Sequence, residues 1–288
     1  MMEIDLGNVQ NPVRKLRKSL KTLPKDPPVD EVHHLRTRAR RLEAIVAALM
    51  LGHKKMTRRL LKTIKPVRKA AGEVRDMDVL VENALALPSH HRGDSDNSVA
   101  RLLEHLGSMR MECARGLLDT VAAQGKDARR ALKRFSRQLE KRSNGKDPGA
   151  MIEVTRNWPH QDAALNLIAE LNRWPGLNAE NLHAFRLKVK ELLYILQLDE
   201  HADPKFMNAL GAVKDRIGDW HDWQQLAKIA QKVLDPQDDR AALKKIEAIG
   251  TKKFNQALAS AHAMRTRYLS ACIQTGYGII SRTFSHSA

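Results

Sequence analysis

Two short motifs occur twice in the chain, in the same order and at nearly the same separation. Residues 32–42 align with residues 182–192, and in both segments a histidine precedes a series of cations. Farther along, residues 72–76 align with residues 218–222, each opening with glycine and ending with aspartate. The offset is 150 residues for the first pair and 146 for the second. Two ordered motifs at nearly one offset indicate an internal duplication, so we expect two similar halves.

Both halves show helical periodicity rather than the alternation typical of strands. In the first motif the apolar positions recur every three or four residues, at Leu35, Ala39, Leu42, Val46 and Leu49. At about 100° per residue, the opposite side of this helix holds His33, Arg36 and Arg40. The pattern predicts one core face and one cationic face. Arg38 and Lys188 depart from it, since each lies near the apolar edge.

The periodicity predicts an all-α fold, a duplicated helical bundle with about four helices in each half. In the first half we expect helices over 13–23, 30–51, 54–87, 98–123 and 127–142. In the second half we expect them over 161–173, 179–198, 204–234 and 238–271. Asp30 is predicted to cap the second helix, and Pro66 to kink or break the third.

Composition along the chain predicts the domain boundaries. The segment 143–160 is rich in glycine, proline and asparagine and is the best candidate for a linker. We therefore expect a single domain over 8–275, made of helical halves 8–145 and 155–275. Residues 276–288 are predicted to form a loose tail.

The charge of the chain is strongly positive and unevenly spread. Fifty Lys and Arg residues against 33 Asp and Glu residues leave a formal net charge of +17. Residues 1–150 hold 32 cations and 18 acids, whereas residues 151–288 hold 18 and 15. Between Arg36 and Arg75 there are 13 cations and only two acids. Such an excess indicates a polyanionic partner, such as nucleic acid, polyphosphate or an anionic membrane surface.

The third predicted helix carries the most regular cationic stripe. Its members recur every three or four residues, at Arg58, Lys62, Lys65 and Lys69. If the helix stays regular past Pro66, the stripe is about 60° wide and about 17 Å long. Like charges at this spacing repel one another by about 0.2–0.5 kcal/mol per pair, and a bound anion removes that penalty. A stripe of this length suits a polymer better than an isolated small anion.

Other features limit the classes of function. The two cysteines form no disulfide framework. The start of the chain lacks a signal peptide, and no stretch approaches the ~20 apolar residues of a membrane span, which together predict a soluble cytoplasmic protein. There is no GxxxxGK[ST] loop, GxGxxG fingerprint or HExxH motif. We therefore expect a binding protein with no catalytic residues, no cofactor and no metal site.

The histidine motif followed by Gly-x-x-Arg/His-Asp, with both elements repeated, resembles the CHAD family (conserved histidine alpha-helical domain). The resemblance covers about residues 10–272. It implies two pseudo-symmetric four-helix bundles, with inorganic polyphosphate bound in a basic central groove, and an association with polyphosphate granules. The first half matches the family motif at His33, Arg36, Arg40, Arg41, Lys62 and Arg75. The second half matches it at His183, Arg186, Lys190 and His221.

The second half also departs from the motif. Asn208 stands where the first half has Lys62, and Glu191 stands where it has Arg41. The stripe of the first half maps onto Pro204, Asn208, Gly211 and Asp215. We therefore expect lopsided polyphosphate binding, dominated by the first half.

Some roles stay open at this level. Non-specific nucleic-acid binding is the alternative function, because the same cations serve phosphodiesters. Residues 36–75 contain no aromatic residue for base stacking, which favours polyphosphate. His33 and His183 are either donors to phosphate that become protonated on binding, or structural groups that join helices. Gly72 and Gly218 are expected to allow close helix packing. Polymer length and oligomeric state have no sequence signal.

Overall fold

A computed structural model describes residues 6–48, 54–87, 94–143, 159–197 and 202–269. Within these ranges the regular structure is entirely helical, which confirms the predicted all-α class. The helices are α1 (Leu6–Thr22), α2 (Val29–Ala48), α3 (Lys54–Leu85), α4 (Asp94–Ser143), α5 (Pro159–Asn172), α6 (Leu182–Leu196), α7 (Pro204–Val233) and α8 (Arg240–Met264). A single turn of π-helix, Arg265–Leu269, continues α8 and is called the π-turn below. No helix in the described ranges is long and apolar enough to cross a bilayer.

The chain divides into two compact units. The first comprises Met1–Glu82 and Leu103–Arg156, and so holds α1, α2, most of α3 and most of α4. The second comprises Asn83–Leu102 and Asn157–Ala288, and so holds the start of α4 and all of α5 to α8. Most of the predicted linker and the whole of the predicted tail lie outside the described residues.

Four helices surround the core of the first unit. The buried cluster draws on α1, α2, α3 and α4, with Leu16, Leu35, Ile64 and Phe135 among its fully buried side chains. Each helix contributes one apolar face, as the 3.6-residue period requires. The cationic residues of these helices are therefore left on flanks and outer faces of the unit.

Polar contacts join the four helices of the first unit into a closed ring. Each contact spans two adjacent helices: Arg38 to Ser19 (α2 to α1), Arg68 to Glu43 (α3 to α2), Arg110 to Asp78 (α4 to α3) and Arg129 to the Leu20 carbonyl (α4 to α1). In this ring the junction of α2 with α3 and the junction of α4 with α1 are opposite edges.

The second unit has the same order of neighbours. Its core draws on α5, α6, α7, α8 and the π-turn. The contacts between adjacent helices are Lys188 to Glu170 (α6 to α5), Arg186 to the Lys214 carbonyl (α6 to α7), Lys253 to Asp219 (α8 to α7) and Arg265 to the Asn172 carbonyl (π-turn to α5). The start of α4 also belongs here, because Ser98 and Arg101 both bind the buried carboxylate of Asp239.

The continuity of α4 corrects the prediction of two helices over 98–123 and 127–142. The structure has one helix of 50 residues that passes through Gly125. Gly125 is buried in an apolar stripe that continues from Leu117 to Leu132. The free energy gained by burying that stripe outweighs the low helix propensity of glycine, which costs about 1 kcal/mol relative to alanine.

Three other details differ from the sequence-based expectation. Asp30, the expected N-cap, lies in the first turn of α2, because the helix already begins at Val29. A carboxylate there still interacts favourably with the helix dipole. The third helix continues through Pro66, so of the predicted kink or break the break does not occur. The first helix begins at Leu6 rather than at residue 13 and contains Pro12.

Candidate polyanion-binding surfaces

The cationic flanks of α2 and α3 meet along one edge of the first unit. Arg68 Nε lies 2.9 Å from Glu43 Oε2, and Arg36 Nη2 lies 3.7 Å from Asp76 Oδ1, so the two helices touch on these flanks. At about 100° per residue, the other cations of both segments fall on or next to the same flanks. We call this surface the α2–α3 edge, and its members are His33, Arg36, Arg40, Arg58, Lys62, Lys65 and Lys69.

The stripe on α3 is exposed and poorly neutralised. Arg58, Lys62, Lys65 and Lys69 are exposed, while the apolar residues on the other side of the helix are buried, as the periodicity predicted. Lys69 Nζ lies 3.9 Å from Glu73 Oε1. Within the part of the chain that the structure describes, the other three cations pair with no carboxylate. The mutual repulsion along the stripe is therefore largely unrelieved in the free protein.

Arg40 contributes a buried donor to the same edge. Its side chain is half-buried, and its Nε is fully buried without a hydrogen-bond partner among the described residues. A buried donor left unsatisfied costs about 1–3 kcal/mol. The other N–H groups of the same guanidinium can donate to a phosphate oxygen on this edge.

The second unit carries a smaller cationic cluster where α6 meets α7. Arg186 Nε donates to the backbone carbonyl of Lys214 at 3.0 Å, which joins the two helices. The rings of His183 and His221 lie across the same junction, with centroids 4.7 Å apart. Lys190 lies one turn after Arg186 on the same flank of α6. We call this surface the α6–α7 edge, and its members are His183, Arg186, Lys190 and His221.

The surroundings of His183 disfavour its charged form. Burial lowers the pKa of His183, and electrostatic repulsion from His221, Arg186 and Lys190 lowers it further. The Nδ1 atom of His183 is buried and has no hydrogen-bond partner among the described residues. A bound anion would offset the repulsion from the neighbouring cations and accept a hydrogen bond from the protonated ring. The protonation of His183 is therefore sensitive to an anion on this edge.

Each motif glycine lies beneath an arginine of the neighbouring helix. A Cβ added to Gly72 would lie 3.6 Å from Arg36 Nε, which is an ordinary contact. A Cβ added to Gly218 would lie 2.7 Å from Arg186 Nη2, which is a clash. The glycines were expected to allow close helix packing. The structure shows that what they accommodate is a guanidinium group, and that the fit is tighter in the second unit.

Of the predicted binding residues of the first unit, Arg41 lies apart from the others, whereas Arg75 does not. Arg41 is exposed, but it lies about 100° farther around α2 than Arg40 and so points away from α3. Arg75 is half-buried on α3, two turns after Arg68, on the flank that faces α2 and at the position that His221 occupies in the second motif. The structure thus places Arg41 outside the α2–α3 edge and Arg75 beside it.

The two cations that broke the periodicity tie each motif helix to the helix before it. Arg38 donates to Ser19 Oγ in α1. Lys188 Nζ lies 3.0 Å from Glu170 Oε2 in α5, and this contact raises the pKa of Lys188. Because Arg38 faces α1 and Lys188 faces α5, neither belongs to the α2–α3 edge or the α6–α7 edge.

Two groups on the α6–α7 edge were not predicted, the ring of Tyr194 and the backbone carbonyl of Lys214. The Tyr194 ring centroid lies 5.8 Å from Lys190 Nζ, a cation–π distance. These residues are four apart on one helix, a spacing that could have been recognised in the sequence. The Lys214 carbonyl, which holds Arg186, had no such signal because backbone groups are alike at every position.

A model of the CHAD domain matches residues 9–231 of the chain. The chain belongs to the CHAD family. This confirms the resemblance first recognised in the repeated motifs, and the matched range contains every residue of both edges in this CHAD protein. No curated protein matches the chain. Among its described residues, no group of three or more His, Cys, Asp or Glu side chains could hold a metal ion.

Proposed function

We propose that the protein is a non-catalytic binder of inorganic polyphosphate, with the α2–α3 edge as its principal site and the α6–α7 edge as a weaker one. The observation that carries the proposal is the α3 stripe, which extends over about 17 Å with three cations that pair with no described carboxylate. A linear polymer of phosphates can neutralise such a row along its whole length. An isolated small anion would reach only part of it.

The types of side chain on the α2–α3 edge suit phosphate oxygens. Arg36, Arg40 and Arg58 offer planar forks that donate two hydrogen bonds to one phosphate. The lysines of the stripe act as point charges that tolerate a flexible chain without a fixed register. The edge therefore favours a partner recognised by charge and phosphate geometry rather than by shape.

Two buried nitrogen atoms add to the argument. Arg40 Nε in the first unit and His183 Nδ1 in the second have no hydrogen-bond partner among the described residues. Both are on edges that the cationic pattern already marks. Phosphate oxygens are acceptors only, so a phosphate polymer at these edges would accept hydrogen bonds from the outer N–H groups of the Arg40 guanidinium and from a protonated His183 ring.

We also propose that the two units are duplicated four-helix bundles. In each unit the motif arginine lies over the motif glycine, as Arg36 over Gly72 and Arg186 over Gly218. In each unit the cation two positions after that arginine turns to the preceding helix. Parallel contacts at equivalent positions support descent from one repeat.

Membership of the CHAD family also supports a cellular setting for this activity. We propose that the protein is cytoplasmic and associates with polyphosphate granules, as the family resemblance implies. In that setting the protein would coat or organise polyphosphate that a separate polymerising enzyme has made.

A fluorescence competition experiment at fixed physiological salt tests the function. Labelled long-chain polyphosphate is bound to the protein and challenged with unlabelled polyphosphate, duplex DNA, RNA and short phosphates at equal phosphate concentration. We expect only long polyphosphate to displace the label efficiently. Equal displacement by DNA or RNA would instead identify a general polyanion binder, since salt dependence alone is common to both classes.

A further inference from the structure

The first unit has a second cationic surface, on the edge of the helix ring opposite to the α2–α3 edge. Here α4 meets α1, and Arg129 Nη1 donates to the Leu20 carbonyl at 3.5 Å. We call this surface the α1–α4 edge. Its members are Arg14, Arg17 and Lys21 on α1, and Lys126, Arg129, Lys133 and Arg137 on α4. None of these seven cations belongs to the repeated motifs.

Helical geometry places the α1 cations on the flank that faces α4. Ser19 accepts a hydrogen bond from Arg38 and so marks the side of α1 that faces α2. At about 100° per residue, the three α1 cations lie within about 60° of one another on the far side of the helix from Ser19. Ring order puts α4 on that far side.

The α4 cations lie on the matching flank. The contact of Arg129 with Leu20 marks the side of α4 that faces α1. Lys126, Lys133 and Arg137 lie within about 80° of Arg129 around the helix axis. The row from Lys126 to Arg137 is about 17 Å long, which equals the length of the stripe on α3.

The α1–α4 edge has almost no acidic residues to neutralise it. There is no Asp or Glu within α1. Between Lys126 and Arg137 the only acid is Asp127, which lies 3.5 Å from Arg130 Nη1, and Glu140, one turn beyond Arg137, accepts a hydrogen bond from Ser136. Among the described residues, none of the seven cations of the edge pairs with a carboxylate. The apolar faces of both helices are buried in the core, so the cations occupy the outer side of two well-packed helices.

The edge also lacks the side chains that read nucleic-acid bases. Helix α1 contains no aromatic residue, and between Lys126 and Arg137 the only one is Phe135, which is fully buried. Stacking of single-stranded bases normally requires exposed aromatic rings. The surface therefore fits a polymer that consists of phosphate alone.

We propose that the α1–α4 edge is a second site of the first unit for linear inorganic polyphosphate, in addition to the weaker α6–α7 edge of the second unit, so that the first unit holds two polymer segments on opposite sides. The proposal rests on polyphosphate binding as the function of the protein. Two sites on opposite edges would make the protein a cross-linker, because a long chain bound on one side leaves the other side free for a second chain. Cross-linking of this kind condenses polyanions by multivalency.

The test compares two variants of the full chain that lose the same charge. The edge variant carries Arg14→Gln, Lys21→Gln, Lys133→Gln and Arg137→Gln, all at exposed positions. The control variant carries Arg240→Gln, Lys244→Gln, Lys252→Gln and Arg267→Gln, which are exposed on the second unit. Calorimetry with short polyphosphate of uniform length counts the chains bound. Light scattering with long polyphosphate measures cross-linking, and thermal unfolding checks that both variants are folded.

We expect the edge variant to bind one chain fewer than the wild type and to scatter less light, whereas the control variant keeps both the count and the scattering. An unchanged count and unchanged scattering in the edge variant would overturn the second site. Loss of duplex DNA binding alone, with the polyphosphate count unchanged, would also overturn it and assign the edge to nucleic acid. A wild type that binds no polyphosphate would refute the proposed function itself, which is a separate result.

Chemical protection provides a measurement on the wild type, which does not depend on the folding of a variant. Bound polyphosphate should protect Lys21, Lys126 and Lys133 from acetylation, as read by mass spectrometry, while Lys244 and Lys252 stay reactive. If only the lysines of the α2–α3 edge are protected, the second site does not exist.

Discussion

The guanidinium of Arg186 lies so close to the backbone of Gly218 that a methyl group on that glycine would come within 2.7 Å of Nη2. The same guanidinium is held in place by the bond from Nε to the Lys214 carbonyl at 3.0 Å. Two backbone groups of α7, the Lys214 carbonyl and Gly218, therefore set the position of the Arg186 guanidinium. Arg36 and Gly72 form a looser version of this contact in the first unit, at 3.6 Å.

The two glycines should respond differently to alanine. Gly72→Ala should raise the free energy of unfolding by about 0.5–1 kcal/mol, because glycine is a poor helix former and the space for a methyl group is present. Gly218→Ala should gain less or lose stability, because the methyl group displaces Arg186. Thermal unfolding of both variants measures the difference. Equal stabilisation at both positions would contradict the close contact at Gly218.

Loss of the α3 stripe should weaken polyphosphate binding. The triple variant Arg58→Gln, Lys62→Gln, Lys65→Gln should bind at least about tenfold more weakly, since charge-assisted hydrogen bonds contribute about 1.5–3 kcal/mol each. The slope of log affinity against log salt should become shallower by about 0.7 for each phosphate that the variant no longer neutralises, by analogy with single-stranded nucleic acid.

A matched triple variant in the second unit provides the control for charge. Arg240→Gln, Lys244→Gln and Lys252→Gln remove three exposed cations outside both motif edges. Titrations of labelled polyphosphate at several salt concentrations should show a much smaller change for this variant. A similar loss of affinity in both variants would mean that net charge, and not the α2–α3 edge, determines affinity.

The lowered pKa of His183 predicts a pH-dependent stability of the free protein. Burial and the neighbouring cations depress the pKa of His183 in the folded state, whereas the unfolded value is about 6.5. The unfolded chain therefore takes up the proton first, so this contribution is fully present above about pH 6.5 and is lost as the pH falls below it. Thermal unfolding of wild type should show a steeper decline below that pH than His183→Gln. Parallel curves would contradict the prediction.

Polyphosphate should reverse this preference for the neutral ring. An anion on the α6–α7 edge would raise the pKa of His183, so binding should be accompanied by proton uptake at mildly acidic pH. Calorimetry in buffers of different ionisation enthalpy measures that uptake directly. We expect it to decrease in His183→Gln, and to remain unchanged in His34→Gln, which replaces an exposed histidine outside both edges. Equal uptake in both variants would exclude His183 as the group that titrates.

Arg110 should be essential to the stability of the first unit. Its Nε lies 2.7 Å from Asp78 Oδ1, and the side chain of Asp78 is only 1% exposed. Arg110→Met would leave this carboxylate buried without its cation, which costs about 3–5 kcal/mol. The double variant Arg110→Met, Asp78→Leu should recover much of the stability, because it removes the buried charge as well. Urea unfolding of the single and double variants tests both statements.

The sequence predicted the helices and their cationic flanks well, because both depend on short-range periodicity. Leu60, Ile64 and Val67 are buried as the 3.6-residue period requires, and the cationic stripe on the other side of α3 is exposed. Family membership was recognisable for a related reason. The repeated histidine and glycine motifs are local strings of residues, and a string can be recognised without knowledge of what it contacts.

Boundaries that depend on packing were predicted less well. The sequence predicted two helices, 98–123 and 127–142, yet Gly125 lies buried within one helix of 50 residues. A break was one of the two outcomes predicted at Pro66, and the third helix continues past it. In both cases burial of an apolar stripe over many turns outweighs the local preference of one residue, and burial is a property of the whole unit.

What the sequence by itself determined is which side of each helix is charged and which is apolar. Only the tertiary structure decided which charged flanks become neighbours. The contact of Arg129 with Leu20 brings the cations of α1 beside those of α4, although they are more than a hundred residues apart in the chain. The contact of Arg186 with Gly218 likewise depends on how closely two helices approach. The physical reason is that helical periodicity is a local property of the backbone, whereas the pairing of flanks follows from the packing of four helices around one core.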